Sequence, residues 1–325
     1  MSDGRATLAS VTDVGSPSAG PDEGPEPGAP ALSADELVGL TGGRLLHRST
    51  RPVRGAAVDS RLVRPDNLFV ALPGERTDGH DHLADAVRRG ASAVLVTRPP
   101  VDAATLGDVT VIRVSDGIAA LGAVATGWRT RFDPLVVGVT GSIAKTSTKE
   151  AIAAVLGTTW PTLKSEGNQN NEIGVPLTVL RLGPEHRAAV LEMGMYVGGE
   201  IADLAAIGQP TIGVVTAVQP VHLSRIGTLE AVEQAKGELL EALPADGRAI
   251  LNADDPIVTR MDRRSAARAL RYGFHDAADV RVDQLTSAGL DGMRFRLATP
   301  LGVRPVRFWT IRVLDFIQAR LGRRR

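Results

Sequence analysis

The chain has 325 residues, 43% of them hydrophobic, and its 37 lysines and arginines balance its 37 aspartates and glutamates, which gives no indication of a nucleic-acid or acidic-membrane partner. It has no cysteine, which excludes disulfides, thiolate metal sites and cysteine nucleophiles and is typical of the reducing cytoplasm. No apolar run approaches the roughly 20 residues that span a bilayer.

The first part of the chain predicts a tail and then a small domain. Residues 1–32 are rich in glycine, proline, serine and acidic residues and lack the apolar segment of a signal peptide. Such a composition buries too little apolar surface to offset the entropy of ordering, so we expect a disordered tail. Short helices then alternate with apolar strands over 33–132, beginning with a helix that Ser33 could cap. This alternation predicts an α/β domain.

A second domain is expected over 133–301, starting at the boundary Asp133–Pro134. It contains continuous apolar runs separated by helical segments, at 135–139, 188–193, 211–218 and 248–252. Runs of this kind are typical of parallel strands buried on both faces of an open sheet. After about residue 269 the pattern changes, and shorter segments predict antiparallel strands at the sheet edge.

The strand at 135–139 leads into a candidate phosphate loop, TGSIAKTSTKE at 140–150, and then into a helix. A strand, a tight glycine turn and a helix N-terminus together surround an anion with backbone N–H groups. Lys145 would reach the β- and γ-phosphates of ATP, and the Thr146 hydroxyl would bind Mg²⁺. The residues expected to bind ATP in this loop are Thr140, Gly141, Ser142, Ile143, Ala144, Lys145, Thr146 and Ser147.

The loop departs from the usual motif at Ala144, where a glycine normally precedes the lysine. If this position needs a positive φ angle, the alanine methyl group crowds the loop. The alternative interpretation is an ordinary glycine and serine turn in which Ser142 or Thr146 caps the helix. The loop by itself favours ATP binding over this alternative.

Several motifs in order resemble those of the Mur ligases, a family of ATP-dependent amide-forming enzymes. They are TGSIAKTSTKE at 140–150, GNQNNEIGVPLTVL at 167–180, AVLEMGM at 189–195, VHLSRIGTLEAVEQAKGEL at 221–239 and LNADDP at 251–256. DSRLVRPDNLFVALPGERTDGHDH at 59–82 is similar to the UDP-substrate domain of the family. The Asn170–Asn171 pair is most similar to the member that adds D-alanyl-D-alanine. The resemblance covers about residues 45–300.

The resemblance implies a fold, a reaction and its substrates. The fold would be a small N-terminal α/β substrate domain followed by a phosphate-loop domain with a mostly parallel sheet. The reaction would add D-alanyl-D-alanine to UDP-N-acetylmuramoyl-tripeptide in peptidoglycan precursor synthesis. ATP would phosphorylate the peptide carboxylate, and the amine would then displace phosphate from the acyl phosphate. The cofactors would be ATP and Mg²⁺, and we expect a cytoplasmic monomer.

The resemblance also implies the residues of the metal and phosphate site. Lys145 would be the cation at the γ-phosphate, and Thr146 and Glu192 would bind the first Mg²⁺. His222 would bind a second Mg²⁺, together with Lys236 if that lysine is carbamylated. Each has an ordinary alternative: Glu192 could be a strand-end acid facing solvent, and His222 could be a surface histidine. Lys236 could be a solvated helix lysine paired with Glu233 or Glu238.

Further binding residues follow from the same motifs. Asn171 would contact a phosphate or the metal, with Asn168 and Asn170 as competitors and turn formation as the alternative for all three. The residues implied in UDP-substrate binding are Asp59, Ser60, Arg61, Gly79 and His80. Arg61 could instead be a surface charge. Gly79 and His80 would shape the substrate loop, and Asp78 could serve only to cap a turn.

Past about residue 300 the resemblance ends, and we expect the third, Rossmann-like domain of the family to be missing. The basic tail 302–325 carries seven arginines between Arg304 and Arg325. One interpretation is a random stretch after a frameshift or early stop. The other is a basic amphipathic helix that contacts acidic lipid or a partner, with an apolar side formed by Phe308, Ile311, Leu314, Ile317 and Leu321. Truncation would leave a binding module that holds the UDP-substrate or ATP without ligating.

Overall fold

The computed structural model describes residues 29–74, 77–98, 100, 102–220, 227–287 and 292–308. His222, the expected disorder before residue 29 and the expected helix after residue 308 lie outside the described residues. Leu32, one residue before the expected domain boundary at residue 33, packs with the first domain. Leu32 is buried, and its backbone exchanges hydrogen bonds with that of Val53 at 2.9 and 3.0 Å.

The first domain is built on a sheet of five described strands in the order β1-β5-β4-β3-β2. The strands are β1 (Arg44–His47), β2 (Ala56–Ala57), β3 (Leu68–Val70), β4 (Ala93–Val96) and β5 (Thr110–Arg113). All neighbouring pairs are parallel except β1 with β5. Its helices are α1 (Ala34–Thr41), α2 (Leu83–Arg88) and α3 (Gly117–Arg129), with short 3₁₀ turns at Ser60–Leu62, Gly79–His82 and Ala103–Leu106.

Local sequence accounts for where these helices begin and end. Ser33 and Glu36 form a capping box, in which the Glu36 N–H donates to the Ser33 hydroxyl at 3.2 Å and the Ser33 N–H donates to the Glu36 carboxylate at 2.8 Å. The helix ends at Gly42, whose φ of 62° suits glycine. Asp116 caps α3 by accepting from two backbone N–H groups. The expected cap at Ser33 is therefore confirmed.

The second domain is built on a sheet of nine described strands in the order β14-β13-β12-β11-β10-β9-β6-β8-β7. The strands are β6 (Leu135–Thr140), β7 (Thr162–Lys164), β8 (Ala188–Glu192), β9 (Ile212–Val215), β10 (Arg248–Asn252), β11 (Arg268–Gly273), β12 (Val280–Ser287), β13 (Met293–Thr299) and β14 (Gly302–Phe308). The helices are α4 (Lys145–Gly157), α5 (Gly174–Val179), α6 (Glu200–Gly208), α7 (Leu229–Glu241) and α8 (Pro256–Thr259), with a 3₁₀ turn at Arg260–Arg264.

The sheet is parallel from β7 to β12 and antiparallel only from β12 to β14. The expectation that strands after residue 269 are all antiparallel is wrong for β11, which runs parallel to β10 over five residue pairs. Helix α8 and the following 3₁₀ turn supply the crossover that a parallel neighbour requires. Strand β14 continues the sheet past residue 301, where the sequence analysis ended the second domain.

Helix α3 packs the first domain against the second. The Trp128 indole N–H donates to the Leu182 carbonyl at 3.0 Å, and the Arg129 side chain donates to the Gly208 carbonyl at the same distance. Both side chains are buried, and Trp128 belongs to a hydrophobic cluster that includes residues of both domains. Within the described chain, no helix is long and apolar enough to cross a bilayer.

The parallel strands bring their carboxyl ends to one edge of the second sheet, where ligands bind in open α/β sheets. The β6–β8 register pairs Val139 with Glu192, and the β6–β9 register pairs Thr140 with Val215. The loop after β6 and the ends of β8 and β9 therefore meet at this edge.

Candidate active site

The loop after β6 turns sharply at Gly141, which has φ 149°. A Cβ atom on this residue would lie 1.9 Å from the Thr216 hydroxyl, so the close approach to the strand end requires glycine. The Lys145 ammonium lies over the loop and donates to the Gly141 carbonyl at 2.8 Å. These contacts give the strand, glycine turn and helix geometry of a phosphate-binding loop.

The loop is tied to the segment that follows β9. The Ser142 hydroxyl donates to the Gln219 carbonyl at 3.0 Å and accepts from the Gln219 N–H at 2.8 Å. The Thr216 hydroxyl donates to the Ile143 carbonyl at 2.6 Å. Ser142 is therefore not a helix cap, and the N-cap position of α4 is Ala144, which makes no side-chain cap. Without a side-chain cap, the first-turn N–H groups of α4 are suited to bind an anion.

Ala144 adopts the left-handed conformation, with φ 61° and ψ 10°, immediately before α4. This conformation costs a non-glycine residue about 1–2 kcal/mol, of which glycine recovers only part because it gains entropy when unfolded. We therefore expect Ala144→Gly to raise the free energy of unfolding by about 0.5–1 kcal/mol and to leave ATP affinity within roughly twofold. Denaturant unfolding and calorimetric ATP titration measure the two quantities.

Ala144→Val is the matched control, because a β-branched side chain fits positive φ worse than alanine does. It should lower both the stability and the ATP affinity. A large loss of ATP affinity in Ala144→Gly would contradict the left-handed conformation of this residue in the loop.

Glu192 ends β8 beneath this loop and is only 2% exposed, so the solvent-facing alternative is wrong. Its Oε1 accepts from the Asn170 amide at 2.9 Å, and its backbone N–H donates to the Ser165 hydroxyl at 3.1 Å. Its Oε2 is buried and has no hydrogen-bond partner. A buried carboxylate oxygen without a partner is unfavourable unless a cation completes its environment.

The asparagine segment lies beside the Glu192 carboxylate. Asn170, one of the competitors named for Asn171, contacts Glu192. The Asn171 side-chain oxygen accepts from the Gly174 N–H at 2.9 Å and so holds the start of α5. Both asparagines nevertheless line a cavity of about 320 Å³ together with Lys145 and with Gly194 and residues of α6.

Lys236 lies in α7 and is only 3% exposed. The solvated alternative is wrong: Glu233 pairs with Arg260 at 2.6 Å, and Glu238 accepts from the Gly199 N–H at 2.7 Å. Burial, with a smaller contribution from the charge of Lys145, lowers the pKa of Lys236 to about 7. Burial also lowers the pKa of Lys145, and the negative charge of Glu192 opposes that shift. The two lysines and the glutamate thus share one electrostatic environment.

These residues fit a magnesium ion that binds together with phosphate. Among the residues the structure describes, no group of three histidine, cysteine or acidic side chains could hold a metal alone. Mg²⁺ usually takes only one or two carboxylates and completes its shell with substrate phosphates and water. The unpartnered Glu192 oxygen supplies such a carboxylate, and Thr146 is exposed in the first turn of α4.

In the first domain, Asp59 and Arg61 form a closed pair at the Ser60–Leu62 turn. Asp59 caps the turn and contacts the Arg61 guanidinium at 2.6 Å. Hydrogen bonds from Arg61 hold the pKa of Asp59 at about 2. Ser60 is buried, whereas the Arg61 side chain is 79% exposed.

His80 is a structural residue of the neighbouring loop. Its Nδ1 lies 2.6 Å from the Asp78 carboxylate, and its Nε2 accepts from the Thr97 N–H at 3.0 Å. A Cβ on Gly79 would lie 2.8 Å from the Leu72 nitrogen, so the loop backbone closely approaches the segment that follows β3. Asp78 caps the turn through the His80 N–H. Both ring nitrogens of His80 therefore have partners within the protein, and these contacts hold the loop in place.

Comparison with known proteins agrees with this geometry. A profile of the Mur ligase middle domain matches residues 139–305, which is about half of the chain, and a profile of the Mur ligase family catalytic domain matches residues 52–129. This chain belongs to the Mur ligase family. The Mur ligase profile of the middle domain begins inside β6 and contains the phosphate loop, Glu192 and Lys236.

Individual Mur ligases are similar over most of this chain. The UDP-N-acetylmuramoyl-tripeptide–D-alanyl-D-alanine ligase of Mycobacterium tuberculosis strain H37Rv is 40% identical over 82% of this chain and 57% of the relative. The crystal structure of MurF from Acinetobacter baumannii superposes with a TM-score of 0.77 at 28% identity, covering 86% of this chain and 61% of that chain. The crystal structure of MurF ligase from Thermotoga maritima in complex with ADP superposes with a TM-score of 0.69 at 29% identity, covering 79% of this chain and 58% of that chain. The chain thus spans less than two thirds of the length of these Mur ligases.

Two residues of the site were missed by the sequence analysis. Lys149 is completely buried beside Glu192, and Thr216 holds the phosphate loop. Helical spacing could have indicated Lys149, because it shares a face of α4 with Lys145 and the buried Ala153 at four-residue intervals. Thr216 had no comparable signal, because its contact with the loop depends on β9 pairing with β6.

Proposed function

We propose that this chain is the substrate- and nucleotide-binding part of an ATP-dependent ligase that adds D-alanyl-D-alanine to UDP-N-acetylmuramoyl-tripeptide. One observation carries the nucleotide chemistry: the buried, unpartnered Glu192 oxygen lies at the same sheet edge as the phosphate loop and Lys145. The names of the relatives support the choice of substrates. The ADP complex of the Thermotoga maritima protein supports ATP as the phosphate donor.

Different residues of this chain would bind and stabilise the groups that react in the first step, the transfer of a phosphoryl group from ATP to the peptide carboxylate. The loop N–H groups and the α4 dipole bind the phosphates, and Lys145 offsets negative charge on the γ-phosphoryl group as the carboxylate approaches it. Glu192 and Thr146 would hold one Mg²⁺, and His222 and carbamylated Lys236 would hold a second. The bound metal would supply positive charge that offsets further charge on the phosphate oxygens. Asn170 orients Glu192. The peptide carboxylate gains the phosphoryl group, and ADP leaves.

Lys236 has the properties that carbamylation requires. Only a neutral amine attacks carbon dioxide, and the pKa of Lys236 is lowered to about 7 by burial. The amine nitrogen bonds to the carbon of carbon dioxide and loses a proton, so that a cation becomes an anionic oxygen ligand. This conversion removes the repulsion between Lys236 and Lys145.

The first domain would hold the uridine diphosphate part of the acceptor. The exposed Arg61 guanidinium, fixed by Asp59, is suited to an anionic or carbonyl group, and Ser60 anchors the turn from the buried side. Gly79 and His80 would shape the adjoining loop. We place the reaction in the cytoplasm, with the chain acting as a monomer. Its product would supply peptidoglycan for cell-wall growth, cell shape and cell division.

The test is phosphate release from ATP in the presence of Mg²⁺, UDP-N-acetylmuramoyl-tripeptide and D-alanyl-D-alanine. Full release that requires both substrates supports the ligase. The second candidate is a binding module, which the coverage of only 57% of the relative favours. Nucleotide binding by calorimetry without phosphate release in any substrate combination would support the module and contradict ligation by this chain.

A further inference from the structure

Lys149, a lysine that the proposed reaction does not use, is completely buried one turn beyond Lys145 in α4. A buried ammonium group is unfavourable unless charges and hydrogen bonds around it compensate. Its Nζ donates to the Gly167 carbonyl at 3.1 Å and lies 3.3 Å from Glu150 Oε1. Contacts on two sides therefore fix the position of the ammonium group.

The third neighbour of Lys149 is Glu192, whose Oε2 lies 3.8 Å from Nζ. This distance is within reach of an ion pair but too long for a hydrogen bond. Oε2 has no hydrogen-bond partner, whereas Oε1 is held by Asn170. Lys149 thus compensates the charge of Glu192 and leaves the lone pairs of Oε2 free, which is the form of carboxylate that a hard cation binds.

We propose that Lys149 is a positioning residue that acts as a standing counter-ion for Glu192. Lys149 holds the Glu192 carboxylate beside the phosphate loop in the absence of metal. It also weakens Mg²⁺ binding when no nucleotide is present. The inference rests on the proposed function, because it takes Glu192 as a Mg²⁺ ligand. Nucleotide phosphates offset the repulsion between Mg²⁺ and the ammonium group, so that metal and nucleotide bind together.

A buried ion pair that only stabilises the fold behaves differently. Removing its lysine leaves an unpaired buried carboxylate, and the lost stability does not depend on Mg²⁺. If Lys149 is instead a counter-ion at a metal site, Mg²⁺ should compensate the Glu192 charge in place of the missing ammonium group. Dependence of stability on Mg²⁺ therefore separates the two roles without any measurement of activity.

The experiment is the melting temperature of Lys149→Met during a titration with MgCl₂ in the absence of nucleotide, beside the same titration of the unsubstituted chain. Methionine is similar in length and carries no charge. The variant should be destabilised without metal and should recover as Mg²⁺ is added. Half of the rise in melting temperature should occur at an Mg²⁺ concentration about tenfold lower for the variant than for the unsubstituted chain, because no ammonium group competes with the metal. This concentration is called the half-point. An unchanged half-point, or no recovery, would overturn the proposal.

Lys164→Met is the matched control. Lys164 also contacts Glu150, but its side chain is 38% exposed and lies on β7. Its removal should leave the Mg²⁺ titration as in the unsubstituted chain. A shift in this control as large as that of Lys149→Met would show a general charge effect and overturn the proposal.

The double variant Lys149→Met/Glu192→Gln removes both charges. It should melt near the unsubstituted chain without metal and should not respond to Mg²⁺. If Lys149→Met alone does not fold, the double variant distinguishes charge pairing from packing as the role of Lys149. A folded and Mg²⁺-insensitive double variant supports the pairing of the two charges, whereas an unfolded one shows that Lys149 acts through packing and overturns the proposal.

Titration of the unsubstituted chain with ATP, with and without Mg²⁺, separates this inference from the proposed function. Failure to bind ATP with Mg²⁺ would contradict the proposed function itself. Binding of ATP with Mg²⁺, combined with an unchanged half-point in Lys149→Met, would overturn only the counter-ion role.

Discussion

Replacing Lys145 with methionine should lower the rate of ATP-dependent phosphate release by about a hundredfold to a thousandfold, the effect of removing one fixed charge-stabilising donor from a transition state. Lys145 lies over the phosphate loop and is partly buried, so its charge acts with little screening by water. The loss should appear mainly in kcat, because the loop N–H groups and the helix dipole still bind the ground-state phosphates. Single-turnover phosphate release measures the change in the chemical step, and calorimetry measures the change in ATP affinity.

Lys164→Met is again the control, since it removes the same charged group from a partly exposed position on β7. It should change kcat by less than roughly twofold, as expected for a surface substitution. If Lys145→Met keeps the rate of the unsubstituted chain, Lys145 is not the cation at the γ-phosphate. If it loses ATP affinity and kcat to the same extent, Lys145 acts in binding rather than in the transition state.

Replacing Lys236 with methionine should make the protein more stable at pH 7 and should abolish ligation. Burial lowers the pKa of Lys236 from its ordinary value of 10.5 to about 7. Between these values the unfolded chain binds more protons than the folded one, so the free energy of unfolding rises with pH from about 7 to about 10.5. At about 1.4 kcal/mol for each pKa unit, a protonated Lys236 costs the folded protein roughly 3–5 kcal/mol at pH 7.

Denaturant unfolding at several pH values between 7 and 9, in bicarbonate-free buffer, checks this prediction. The unsubstituted chain should gain stability as the pH rises, and Lys236→Met should lose most of that slope. Bicarbonate should stabilise the unsubstituted chain alone, because carbamylation replaces the buried cation. Labelling with ¹³C-bicarbonate should give a carbamate signal only when Lys236 is present. Equal slopes in the two proteins would refute the effect of burial, and a carbamate signal in Lys236→Met would place the modification elsewhere.

Much of the architecture could be predicted from local patterns. The apolar runs predicted the parallel strands because a strand buried on both faces has no polar alternation. Ser33 predicted the start of α1, and TGSIAKTSTKE predicted the loop and the position of Lys145, because caps and phosphate loops depend on neighbouring residues. The parallel pairing of β11 was missed, because the only α-helix in the crossover, α8, has four residues and carries little periodicity.

The sequence by itself determined the kinds of element and the residues able to carry the chemistry. Only the tertiary structure decided which of them meet: Asn170 and the buried Lys149 at Glu192, and Lys236 buried within the electrostatic influence of Lys145. The physical reason is that burial and electrostatic coupling depend on strand order. Placing β8 and β9 on either side of β6 joins residues up to 77 positions apart, and no local pattern contains that order.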